Sequence, residues 1–249
     1  MPRVSWLIGT AGLFLYGSVN AGAQQSRCAD CHFANLQDAP EPEHLADWEH
    51  SPHGRNDVGC ERCHGGDPTT FEPFLAHSGI LNSRNPASPA HRSNLPKTCG
   101  ACHVGPFVAF QKSRHYELLQ AGERRGPTCT TCHDSVAARL LSPRSLESQC
   151  DSCHRDSGIS PNPEYAPQGR ILLEQVREVR ELLSSTRHLI HHVSDEARRS
   201  SLEEMYEQAQ VPLTEATQSA HQFVFDDLRE RLSVARERTD SLMRELANP

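Results

Sequence analysis

The chain is short of the residues that build a large oily core. Aromatic residues make up 6% of its 249 positions and hydrophobic residues 36%. So little Val, Ile and aromatic material argues against a β-sandwich. The lack of repeated long apolar runs excludes a multi-span membrane protein. Excess positive charge is also missing. Lys and Arg number 25 against 32 Asp and Glu, a net charge of −7, which argues against nucleic-acid binding. Only three methionines are present. What stands out instead is ten cysteines and fifteen histidines. A chain this polar needs a source of cohesion other than apolar side chains.

The one apolar run is N-terminal. Met1-Pro2-Arg3 precedes Val4 to Val19, and Ala21-Gly22-Ala23 follows. A basic start, a short apolar stretch and a small-x-small triplet read as a signal peptide over 1–23, with export to the bacterial periplasm. The run carries three glycines and falls short of the roughly 20 residues of a span. No integral membrane span is expected after cleavage.

Ten cysteines in an exported chain would ordinarily form disulfides. Their spacing points elsewhere. They fall as Cys28/Cys31, Cys60/Cys63, Cys99/Cys102, Cys129/Cys132 and Cys150/Cys153, and His32, His64, His103, His133 and His154 follow the second member of each pair. Cys-x-x-Cys-His is the attachment site of c-type haem. Two thiols add across the haem vinyl groups, and the adjacent histidine becomes the proximal iron ligand. Zinc sites also use Cys-x-x-Cys units, but zinc gives no reason for histidine after every pair. Five motifs consume every cysteine and predict five covalently bound haem c groups.

Ten histidines remain for the distal side, whereas few methionines do, so bis-histidine ligation is expected. Trp48-Glu49-His50-Ser51-Pro52-His53 and Phe110-Gln111-Lys112-Ser113-Arg114-His115 share an aromatic-x-x-Ser-x-His pattern. The serine suits the N-cap of a short helix that carries the histidine. His53 and His115 are therefore expected as distal ligands. His77, among apolar neighbours, is favoured over His91 in a polar loop. His44 and His50 read as surface residues or as neighbours of a ligand. By helical phasing, His221 and one of His188, His191 or His192 complete the set, with His192 chosen. His188 and His192 also have the spacing to chelate a surface metal.

The expected fold is mainly α. Residues 24–160 form a pentahaem domain with little regular structure around stacked haems, since each inter-motif gap is too short for a core of its own. A Pro/Gly-rich linker follows at 161–169, and a C-terminal helical hairpin or bundle fills 170–249. Leu172, Val176, Val179, Leu183, Thr186, Ile190 and Val193 form a helical seam. A second helix is expected over about 195–210, with Pro212 near its end or in the first turn of a third. The third is expected to run to about Ala247.

The two aromatic-x-x-Ser-x-His stretches, Cys63-His64-Gly65-Gly66-Asp67, Ala76-His77 and Pro127-Thr128-Cys129-Thr130-Thr131-Cys132-His133 together resemble multihaem cytochromes c of the hydroxylamine oxidoreductase and cytochrome c nitrite reductase superfamily. That resemblance implies closely stacked, mostly bis-histidine haem pairs, with His53, His77, His115 and a C-terminal helix histidine as distal ligands. It also implies a role in nitrogen, sulfur or metal respiration. The chain departs from the catalytic members. All five motifs end in histidine, and the only lysines are Lys97 and Lys112. None of Tyr116, Tyr165 and Tyr206 is singled out as a haem cross-link.

The function expected is single-electron transfer between redox proteins, such as a quinol dehydrogenase and a terminal reductase or another cytochrome. No catalytic residue is assigned. Two alternatives stand beside it. One is a small oxidoreductase for nitrite, hydroxylamine or a sulfur oxyanion at one open-coordinate haem. The other is a conducting subunit of a larger haem assembly, oligomeric through its C-terminal helices.

Overall fold

The computed structural model describes residues 26–35, 42–139 and 141–248. The expected signal peptide over 1–23 lies outside them. Every regular element among the described residues is helical, and the fold is mainly α.

The first part is a string of short helices broken by turns. They are α1 (Arg27–Ala34), α2 (Pro42–Glu49), α3 (Pro52–Arg55), α4 (Glu61–His64) and α5 (Pro73–Ala76), followed by α6 (Leu95–Gly100), α7 (Val104–Phe110), α8 (Arg114–Gln120), α9 (Cys129–His133) and α10 (Pro143–His154). Proline enters at the first turn of α3, α5, α6 and α10, where its missing N–H costs no hydrogen bond. Few large side chains are buried here: Phe110 and Leu119 are the main ones.

Three long helices follow: α11 (Tyr165–Ile190), α12 (Glu196–Ser219) and α13 (Phe225–Ala247). α11 begins inside the segment expected as a linker. Its seam residues Leu172, Val176, Val179, Leu183, Thr186 and Ile190 are all buried. They meet Leu202, Ala209, Leu213 and Ala216 of α12 and Leu228, Leu232, Ala235 and Leu242 of α13. Alanines at no exposure on α12 and α13 let the helices approach closely. Thr186 and Thr239 sit in this core, and each donates its hydroxyl to a carbonyl of its own helix. Asp195 caps α12 by accepting from the Arg198 N–H at 2.7 Å. Arg198 reaches the carbonyls of Glu245 and Leu246 at the far end of α13, so α12 and α13 run antiparallel.

Pro212 differs from its expected place. It lies inside α12, which continues unbroken to Ser219. A proline in a helix interior leaves the carbonyl four residues earlier without its donor. Here that carbonyl belongs to Gln208, and Arg238 of α13 donates to it at 2.8 Å.

The bundle joins the short-helix part at two places. α10 packs along α11, where Gly169 faces Leu146 and the Cys150 sulfur. α7 packs on α12 and on the 3-10 turn Ala220–Gln222 that connects α12 to α13.

Candidate functional site

Each Cys-x-x-Cys-His motif sits on or at the end of a short helix, which turns both thiols and the histidine toward one side. The motifs occupy α1, α4, the end of α6, α9 and the end of α10. None of the ten cysteines is in a disulfide.

The motifs lie beside one another in chain order. Cys28 neighbours Cys60, whose thiol is pushed up to about 11 by burial first and then by Cys28 and Glu61. Cys63 neighbours Cys99 and Cys102, and burial raises its thiol. Cys99 and Cys129 share a side-chain hydrogen bond. Cys132 neighbours Cys150 and Cys153, and burial is the main cause of its rise to about 11.

Cys31 has a local hydrogen-bond partner. Its partner is on its own helix end rather than in a neighbouring motif. The Asn35 side-chain amide donates to the Cys31 carbonyl at 2.9 Å and to the Cys31 sulfur at 3.9 Å. The reason is local: Asn35 is the C-cap of α1, four residues on, and closes the last free carbonyls of that helix. A thioether sulfur keeps its lone pairs, so this weak contact is compatible with attachment through Cys31.

The histidines are brought together in pairs. His77 faces His32 with ring centroids 5.9 Å apart. His53 faces His103 at 6.0 Å, His115 faces His154 at 6.1 Å and His221 faces His133 at 6.2 Å. His44 of α2 lies close to His64, the remaining motif histidine. Burial, with His44 second, lowers the pKa of His64.

Local sequence explains how the partner histidines are held. Ser51 caps α3 by accepting from the Gly54 N–H and donates to the Trp48 carbonyl. Ser113 caps α8 by accepting from the Tyr116 N–H and donates to the Phe110 carbonyl. Both serines are fully buried. Glu72 caps α5 through the Leu75 N–H, and His77 follows that helix as its C-cap residue. His221 belongs to the 3-10 turn rather than to a long helix. His192 falls just beyond the end of α11, beside His188 at 4.7 Å. The structure sets it against His188 and not against a motif histidine, because α11 ends at Ile190. Sequence reasoning misses His44, which lies on exposed α2 without the aromatic-x-x-Ser pattern.

These residues fit haem c. Two imidazole nitrogens each about 2 Å from one metal ion leave their ring centroids roughly 6 Å apart, the separation found in four of the pairs. Four rings donate Nδ1–H to a backbone carbonyl: His77 to Pro73, His133 to Arg139, His154 to Ser160 and His221 to Gln218. A carbonyl there fixes the proton on Nδ1 and leaves the Nε2 lone pair for a metal. Burial lowers the pKa of His53, His115 (to about 4) and His221, a direction that favours the neutral form a ligand needs. Large apolar side chains also stand open beside the motifs, with Phe74 83% and Val104 58% exposed. A porphyrin face is an apolar surface of the kind that covers such groups.

Comparison with known proteins agrees with that chemistry. The family model for cytochrome c7 and related cytochrome c matches residues 85–155, and the model for cytochrome c554 and c-prime matches 16–65. The C-type polyheme cytochrome OmcC of Geobacter sulfurreducens is 24% identical over 136 residues, which is 52% of this chain and 16% of that protein. The C-type polyheme cytochrome OmcB of the same species is 31% identical over 140 residues, 53% of this chain and 16% of that protein. The chain thus aligns with about a sixth of the length of these curated relatives. No solved structure matches. The chain is a multihaem c-type cytochrome with covalently bound haem. No described helix is long and apolar enough to cross a membrane.

Proposed function

We propose that the chain is a five-haem electron carrier in which every iron is held between two imidazoles. The observation that carries this reading is the partner histidine beside each of the five motif histidines. The ligand pairs are His32/His77, His44/His64, His53/His103, His133/His221 and His115/His154. His44 takes the place expected of His192. The gaps between facing rings are called slots 1 to 5 in the order of their motifs.

Haem c supplies one-electron Fe(III)/Fe(II) chemistry when attached. The chain's own residues do the rest. The thiols would fix each porphyrin at two points, and the motif and partner histidines would hold its iron from either side. A slot closed on both sides offers a substrate no vacant coordination position, which disfavours the oxidoreductase alternative. The neighbouring thiols set the slots in chain order, so electrons enter and leave at slots 1 and 5. Kinship with the hydroxylamine oxidoreductase and nitrite reductase superfamily rests on the two serine-capped histidine helices. Export to the periplasm rests on the N-terminal sequence. The redox partners are a quinol dehydrogenase and a terminal reductase or another cytochrome. A conducting module within a larger haem assembly is the second reading, favoured by the alignment with much longer polyheme chains.

The test is a haem count by pyridine haemochrome with low-temperature EPR of the oxidised protein. Five haems, all low-spin, are expected. His44→Ala converts one of them to high-spin, and His192→Ala converts none. A high-spin haem in the unaltered protein that shifts on adding nitrite or hydroxylamine would overturn the carrier reading.

A further inference from the structure

His115 is set apart from the four histidines that meet a backbone carbonyl. Its Nδ1 is buried and has no hydrogen-bond partner. Because that nitrogen is sealed by protein, Nε2 is the one left to face His154 across slot 5. The ring of Phe223 packs against His115 with centroids 4.5 Å apart and planes at 67°. Phe110 flanks Phe223 in turn, at 6.4 Å. Phe223 holds φ at 59°, the left-handed region that a bulky residue rarely occupies. It sits where the 3-10 turn gives way to α13, so the chain bends there in a way that costs energy and lays an aromatic ring on His115.

An imidazole whose Nδ1–H donates to an oxygen is the more basic ligand and favours Fe(III). One with no acceptor is a poorer donor and favours Fe(II). Slots 4 and 5 differ in this respect. In slot 4 both rings meet carbonyls, His133 that of Arg139 at 3.1 Å and His221 that of Gln218 at 3.2 Å. In slot 5 only His154 does, meeting Ser160 at 3.0 Å. The two slots are neighbours through Cys132, Cys150 and Cys153.

We infer that Phe223 is a positioning residue that keeps water and other acceptors away from His115 Nδ1, and so sets slot 5 at a higher reduction potential than slot 4. One electron passing from slot 4 to slot 5 then runs downhill. It oxidises the first iron by one unit and reduces the second by one, with no bond or proton exchanged. This inference rests on the bis-histidine reading proposed above.

The experiment is an EPR-monitored potentiometric titration of the full-length, haem-loaded protein, in the unaltered form and as Phe223→Asn and Phe223→Leu. Asparagine tolerates the left-handed conformation and brings an acceptor and water to His115. Leucine keeps the site dry and shares the backbone strain of phenylalanine. His115→Ala turns slot 5 high-spin and so identifies its signal. The unaltered protein should titrate slot 5 above slot 4. Phe223→Asn should lower the reduction equilibrium constant of slot 5 by about tenfold, about 59 mV for one electron, while Phe223→Leu leaves it in place. Slot 5 titrating at or below slot 4, no shift in Phe223→Asn, or equal shifts in both variants would each overturn the inference. If His115→Ala leaves every signal low-spin, the ligation itself is wrong, and that failure is read separately.

Discussion

Ser51 and Ser113 occupy the same place in two copies of one local pattern. Each hydroxyl accepts from an N–H three residues on and donates to the carbonyl of the aromatic residue three back. One side chain therefore closes two backbone groups and fixes the angle at which His53 or His115 leaves its helix. Ser113→Ala removes the cap at a cost of about 1 kcal/mol, seen as a lower midpoint in denaturant. It also frees α8, so a fraction of slot 5 should turn high-spin in EPR, whereas Ser113→Thr retains both effects of the cap. These serines were legible because N-cap preference is a local property. His44 was not. It sits on exposed α2, and only the tertiary placement of α2, which packs on α1 and α3, brings it to His64. Extending the helical phase of α11 beyond Ile190 points to His192, but the chain in fact turns there.

α12 carries the clearest conflict between a residue and its element. Pro212 lies in its interior, and the Gln208 carbonyl it leaves without a donor is served by Arg238 from α13. A local reading ends the helix near the proline, because the compensating donor belongs to the next helix. Arg238→Ala should therefore destabilise the bundle by about 1 kcal/mol. Pro212→Ala restores the intrahelical bond, so it should recover most of that loss in the double variant. A thermodynamic cycle in denaturant that returned no coupling between the two positions would mean the arginine has no such role. The seam of α11 was legible from Leu172 to Ile190, since a helix that buries one face writes a 3.6-residue period into its sequence, whereas buried Ala166 and Gly169 fall in the stretch read as linker and Val193 lies beyond the helix.

At the scale of the molecule, charge and cross-linking decide behaviour. The side chains alone give −7, and two ionised propionates on each proposed haem add up to about −10. Association with a small basic redox protein should be fast at low salt and slow steeply toward physiological ionic strength. Stopped-flow reduction across a salt series measures this, and a flat rate would count against an electrostatic encounter. The five Cys-x-x-Cys-His motifs were legible because attachment chemistry is written in consecutive residues, whereas the proposed axial partners depend on how distant segments meet. The proposed partners have one more consequence. Joined through iron, His32 to His77, His44 to His64 and His53 to His103 tie loops that all lie before α7. His115 to His154 and His133 to His221 tie loops that all begin after it. No tie spans residues 104–114. On these pairings the molecule would be two separately laced pieces on one thread, one of three irons and one of two, meeting at Cys99 and Cys129 and where Arg92 donates to the Gly126 carbonyl. Cleavage confined to exposed Lys112 should leave all five irons low-spin. Denaturation should then release two peptides, one of three haem masses and one of two, a division that mass spectrometry reads directly.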